Sequence, residues 1–303
     1  MEVAVGSELG LWQQRQSDAH LAECFGPNVS LFAIADGFGE IGRGLATAPL
    51  ALATVRDYLR RRHRVGSFGR NVSPSSLRSI LLAALDHANA RLYAQSGSHE
   101  DFVGSGTSLT AVMVVGNHAF VGHVGDARAY LLRLGRLESL TSDDAMFADA
   151  AVTSANTPLP SQPRVRGLLW RSLGTQPKLE ASIAHVELLA GDQLVLCTDG
   201  VYRCVDEDEL CEALGDSEAA ADAVARVLAV AKLRGNVDNG TLVVGRGLLA
   251  GAGLGAIRRP RGGPFRLVLA VGLLAASLLS YGVYALHAIT PDRPPSATTS
   301  DRP

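Results

Sequence analysis

The chain has 303 residues, 47% apolar and 19% charged, a balance that supports a sizeable buried core and excludes wholesale disorder. Its formal charge of −2 excludes the broad positive field that nucleic-acid binding requires. Cys24, Cys197, Cys204 and Cys211 lack CxxC spacing and are too few for a disulfide scaffold in a chain of this length, so a reducing compartment is expected.

The opening Met-Glu-Val-Ala-Val-Gly carries neither a basic segment nor an apolar run before a cleavage site, so no secretory signal is expected. An apolar, β-branched run over 29–35 predicts a strand. Apolar residues at three- and four-residue intervals over 46–62 and 75–95 then predict two amphipathic helices. The basic cluster at 60–64 falls where the first of these ends and reads as a solvated helix terminus. Further strands are predicted over 108–115, 118–124, 129–134, 136–140 and 193–197, and helices over 207–214 and 217–233. His118 and His123 read as strand or core residues, and Asp143 and Asp144 as solvated turn acids. Strands, a helix pair, more strands and then helices argue for α+β architecture over regular βαβ alternation.

The globular domain is expected over 1–245, followed by a Gly- and Arg-rich linker over 246–266. Residues 267–289 run without a formally charged side chain, about 34 Å as a helix, enough to cross a bilayer core of about 30 Å. Arg258, Arg259, Arg261 and Arg266 crowd its N-terminal flank, whereas the tail at 290–303 is nearly balanced. That asymmetry predicts a single-pass cell-membrane protein with its large domain in the cytoplasm and a short extracytoplasmic tail.

Three acids sit at strand ends or entries: Asp36 before Gly37, Asp199 before Gly200, and Asp238 before Asn239. An acid projecting from a rigid element suits hard divalent cations, and a neighbouring glycine lets a carbonyl approach as well. Singly, each such pair is an ordinary turn. Together they fall in a recognisable order. The segment 10–19, ending in Asp18-Ala19, resembles the opening of the PP2C-type (PPM) phosphatases. Asp36-Gly37-Phe38-Gly39 resembles their Asp-Gly-Met-Gly step, and Gly106-Thr107-Ser108 their Gly-Thr-Thr strand entry. Gly125-Asp126-Ala127-Arg128-Ala129-Tyr130 and Leu140-Thr141-Ser142-Asp143-Asp144 are similar to the next two motifs, and Arg171-Ser172-Leu173-Gly174 to the following one. The segment 191–200, closing on Cys197-Thr198-Asp199-Gly200, is nearly a full match, and Val237-Asp238-Asn239-Gly240-Thr241 resembles the last motif.

That resemblance implies two antiparallel β-sheets packed as a sandwich with helices on both outer faces, here extended by one C-terminal transmembrane helix. It implies hydrolysis of phosphoserine and phosphothreonine in proteins by water activated between two Mn²⁺ or Mg²⁺ ions, in opposition to a serine/threonine kinase. Asp36 would bridge the ions, the Gly37 carbonyl would join the first, and Asp199 and Asp238 would bind the second. Asp126 would serve a third site, and Asp18 would support the first through water. The family's phosphate-clamping arginine, five residues before Asp18, is Gln13 here; Arg15 keeps an even offset, which in an extended strand points a side chain the same way. Ser17 replaces an acid and Ile41 a histidine. These departures keep a second reading open, a catalytically weak phosphoprotein-binding or scaffolding module at the membrane.

Overall fold

The computed structural model describes residues 1–39, 44–69, 72–96, 102–146 and 168–247. All of them fall in one compact unit, Met1–Pro260. The expected membrane helix and tail lie outside the described residues, as does nearly all of the linker. Among the described residues no helix is long and apolar enough to cross a membrane.

Apolar runs without polar alternation become strands buried on both faces. β3 (Val29–Phe38) and β4 (Gly106–Val115) are of this kind. With β2 (Asp18–Gly26), β5 (His118–Val124) and β10 (Ser182–Glu187) they form an antiparallel sheet in the order β10-β5-β4-β3-β2. The second antiparallel sheet takes β1 (Glu2–Glu8), β6 (Arg128–Arg133), β7 (Arg136–Ser139), β11 (Gln193–Cys197) and β12 (Gly240–Arg246), in the order β1-β12-β11-β6-β7. A small ribbon pairs β8 (Ala145–Met146) with β9 (Leu168–Leu169).

Side chains alternate across a strand, so each central strand feeds two cores. Phe32 and Ile34 of β3 meet Leu194, Leu196 and Val243 between the sheets. The intervening Leu31, Ala33 and Ala35 face α1 (Thr47–Arg64) and α2 (Pro74–Ser96), against Val55, Leu59, Leu81 and Leu85. On the other outer face, Val195, Cys197, Leu242 and Val244 pack against Leu210 and Leu214 of α4 (Glu207–Asp216) and Val224 and Val227 of α5 (Ala220–Leu233). The result is four layers, helix, sheet, sheet and helix. A phenylalanine buried as Phe32 is makes truncation to alanine cost about 3–5 kcal/mol.

Helix boundaries follow local chemistry. The Ser73 hydroxyl accepts the Ser76 N–H at 3.2 Å and Pro74 fills the first helical position of α2. α4 opens on a capping box between Asp206 and Glu209. The basic end of α1 places Arg61, Arg62, His63 and Arg64 in the last turn, where the helix dipole favours them. Arg60 departs from the solvated reading, since it is ion-paired to Glu23 of β2.

Candidate metal centre

The acids singled out by the sequence come to one end of both sheets. Asp18 opens β2 and lies opposite Asp36 of β3, which in turn lies opposite Ser108 of β4. Asp199 follows β11 and begins the short helix α3 (Asp199–Tyr202), and Asp238 stands just before β12. Asp126 occupies the bend between β5 and β6. Asp18, Asp36, Asp126 and Asp199 are buried, and Asp238 is half-buried.

The two sheets are stitched together here through Asp18. Its Oδ2 accepts the Thr198 hydroxyl at 2.8 Å and the Thr241 hydroxyl at 2.7 Å. Its Oδ1 is buried without a hydrogen-bond partner among the described residues. Burial pushes the Asp18 carboxyl up to about 7; the two threonine hydroxyls oppose this, and the negative charges of Asp199 and Asp238 add to it. Asp126 belongs to the same electrostatic neighbourhood. Burial raises the Tyr202 phenol, and the charges of Asp126 and Asp199 raise it further.

A polar loop locks the opening segment onto this end. Asn239 donates to the Arg15 carbonyl at 3.1 Å and the Ser17 hydroxyl at 2.9 Å, and accepts the Gly10 N–H at 3.3 Å. Gly10 has to be glycine, because a Cβ there would stand 2.3 Å from the Asp238 carbonyl group. Gly200 meets the same loop from the other side, where a Cβ would lie 2.2 Å from the Asn239 oxygen. Ser17, a departure at the sequence level, is thus an anchor: besides binding Asn239, its carbonyl accepts the Gly37 N–H at 3.2 Å.

The donors present are oxygens on rigid strand ends, the chemistry that Mg²⁺ and Mn²⁺ prefer. The orphaned Asp18 Oδ1 and the raised Asp18 carboxyl show a buried site short of positive charge, so the residues fit divalent cations. Among the described residues, however, no three His, Cys, Asp or Glu side chains converge as a ready-made metal cage. Protein side chains also engage Asp238 and Asp199. Gln13 Nε2 donates to Asp238 Oδ1 at 3.0 Å, and Arg203 Nη2 lies 3.1 Å from Asp199 Oδ2.

Several sequence expectations change in detail. The parity argument for Arg15 presupposes an extended strand, but Leu11 and Trp12 form a turn and Gln14 and Arg15 a bend. Arg15 is exposed and makes no ion pair among the described residues; Gln13 is the residue aimed at the acids. Asp143 and Asp144 are not solvated turn acids. Asp143 takes a bidentate pair from Arg128 at 2.9 and 2.7 Å, while that guanidinium lies 3.8 Å from the centre of the Tyr202 ring. Asp144 accepts the Gly125 N–H at 3.1 Å and pairs with Arg171. His123 is a core residue as expected, bonded to the Thr110 hydroxyl at 2.8 Å and the Ser142 carbonyl at 3.0 Å. Ile41 lies outside the described residues. Thr198, Thr241 and Asn239 stood inside quoted motifs without a role, and nothing local marked Arg203, whose contact exists only once α3 turns.

The chain is similar to known proteins over most of its described residues. The profile of the family Protein phosphatase 2C matches residues 12–238. The serine/threonine protein phosphatase PstP of Mycobacterium tuberculosis is 31% identical over 246 residues, 80% of this chain. The match spans 44% of that relative's length, so the chain corresponds to less than half of it. The serine/threonine phosphatase stp of Listeria monocytogenes is 25% identical over 72% of this chain and 84% of its own length. Among solved structures, the M. tuberculosis PstP/Ppp crystal structure has a TM-score of 0.65 over 80% of this chain and 96% of that one, at 31% identity. The catalytic domain of PstP in complex with two manganese ions gives 0.63 at 30% identity, over 80% and 96% of the two chains.

Proposed function

This chain belongs to the protein phosphatase 2C family, and from that premise we propose that it is a metal-dependent phosphatase of phosphoserine and phosphothreonine in proteins, opposing a serine/threonine kinase. The observation that carries the proposal is the placement of Asp18, Asp36, Asp199 and Asp238 at one end of both sheets. Burial raises the Asp18 carboxyl to about 7, and the charges of Asp199 and Asp238 add to the shift. Such a cluster is costly to hold without cations.

Asp36, the Gly37 carbonyl, Asp199 and Asp238 would hold two Mn²⁺ or Mg²⁺ ions, with Asp18 supporting the first and Asp126 serving a third. When bound, such ions lower the pKa of water and offset charge on a phosphoryl group. The chain's own residues supply rigidity. Thr198 and Thr241 fix Asp18 across the sheet-to-sheet seam, and Asn239 fixes the loop bearing Arg15. Arg15 is the exposed guanidinium nearest in sequence to this end and is assigned to the substrate phosphate. Residues 267–289 would tether the domain to the cytoplasmic face of the cell membrane. The engagement of Asp238 by Gln13 favours a second reading, a phosphoprotein-binding module of weak activity.

Turnover of a phosphothreonine peptide with and without Mn²⁺ separates the two. The phosphatase reading expects Mn²⁺-dependent turnover that Asp36→Asn, Asp199→Asn and Asp238→Asn each reduce by at least about a hundredfold, since an amide cannot offset a divalent charge. Substantial turnover in any of the three sinks the site assignment. Peptide binding without turnover in the unaltered chain favours the binding module.

A further inference from the structure

Arg203 Nη2 stands 3.1 Å from Asp199 Oδ2, an ion pair four residues apart in the chain. The Asp199 side chain is fully buried and that of Arg203 is 19% exposed. The contact is built into the backbone. α3 carries Asp199 at its start, the Arg203 N–H donates to the Asp199 carbonyl at 3.0 Å, and the four-residue offset sets the two side chains on one helical face. An arginine stays protonated at every accessible pH, so this counter-charge is permanent. It stands at the end of both sheets where Asp18, Asp36 and Asp238 also lie. A divalent ion entering there meets a carboxylate already partly neutralised and a fixed like charge beside it.

We propose that Arg203 is the resident counter-cation of the acidic cluster: it stabilises Asp199 in the metal-free protein and sets metal affinity by competing for that carboxylate. The inference rests on the metal-centre reading above and adds a residue that tunes it. Its consequence is a metal site weaker than its carboxylates alone would make, paired with a metal-free fold that does not depend on the ion. Substitution of Arg203 trades one property for the other. The competition is electrostatic, so lysine preserves it and an apolar residue of similar length removes it.

The test uses the full chain, stripped of metal, with Mn²⁺ binding read by calorimetry and melting read in the presence of chelator. Arg203→Met is expected to bind Mn²⁺ at least about tenfold tighter than the unaltered chain and to melt several degrees lower without metal. Arg203→Lys is expected to stay within about threefold in affinity. Equal or weaker Mn²⁺ binding by Arg203→Met, with binding intact in the unaltered chain, overturns the inference and leaves the metal-centre reading standing. If neither protein takes up Mn²⁺, the metal-centre reading falls, and the competition with it. Should Arg203→Met fail to fold without metal, recovery in the double variant Arg203→Met with Asp199→Asn supports the counter-ion role. Failure of both to fold shows a packing role and overturns it.

Discussion

Single residues at the proposed metal centre have opposite requirements for space and charge. Gly10 packs against the Asp238 backbone with no room for a Cβ, so Gly10→Ala must displace the loop that carries Asp238. We expect a loss of roughly 1–3 kcal/mol, typical of overpacking, together with weaker Mn²⁺ binding. Thermal melting and calorimetry on the one variant check both, and a fully stable Gly10→Ala protein would contradict the packing. Gln13 and Arg15, the two positions considered for phosphate binding, have different surroundings. Because Gln13 is turned onto Asp238 and Arg15 is exposed, Arg15→Ala is expected to raise KM for a phosphothreonine peptide about tenfold with kcat little changed. Gln13→Arg should add little. Steady-state kinetics of both variants at saturating Mn²⁺ decide it, and an unchanged KM in Arg15→Ala removes that residue from phosphate binding.

At the scale of elements, α4 and the end of α5 are tied by one exposed network. Arg234 donates to both Glu209 oxygens, at 2.6 and 2.5 Å, and to the Cys204 carbonyl at 2.7 Å, while Glu209 also closes the α4 capping box. The Arg234 hydrogen bond, and then that of the Asp206 N–H, lower the Glu209 carboxyl from 4.5 to about 2. A depressed folded pKa means that the unfolded chain binds the proton first as pH falls. The stabilisation is therefore present above about pH 4.5 and lost between there and about pH 2. Glu209→Gln should flatten that acid limb of the stability curve in chemical denaturation while leaving its slope above pH 6 unchanged. An acid limb identical to that of the unaltered chain would show that the pair does not couple to folding. The Arg128, Asp143 and Tyr202 assembly plays a comparable part between β6 and α3, but there the acid is buried.

For the whole molecule, the sandwich places its acids at one end because antiparallel strands alternate their chain ends. The termini of β3, β5 and β11 meet the entries of β2, β4, β6 and β12. β12 continues to Arg246, whose guanidinium reaches the Leu214 carbonyl at 2.6 Å and the Ser217 carbonyl at 2.9 Å. A cut after Gly247 therefore leaves this strand intact. The proposed tether predicts that a reporter fused after Pro303 lies outside the cytoplasm and one at Met1 inside. It also predicts that the fragment ending at Gly247 fractionates as a soluble protein and the full chain with membranes. Reversed reporters, or a full chain that stays in the soluble fraction, would remove the tether from the account.

The amino-acid sequence alone determined the centre of each sheet, the four long helices and the order of acids at strand ends. β3, β4, β5 and β11 are buried on both faces and so appear as predominantly apolar runs without regular polar alternation, and α1, α2, α4 and α5 repeat their apolar residues at helical intervals. The edge strands β2 and β10 escaped notice because an edge is covered less and mixes polar with apolar residues, whereas β1 is buried through its centre and escaped as a short run next to the chain start. Only the tertiary structure decided which side chains answer those acids. Thr198 and Thr241 reach Asp18, Gln13 reaches Asp238, and Asn239 reaches back to Ser17, each across a large separation in the chain. Periodicity records how a residue is buried by its own element. It carries no information on what a distant loop brings to a carboxylate, and Arg203 meets Asp199 through a helix too short to show any period.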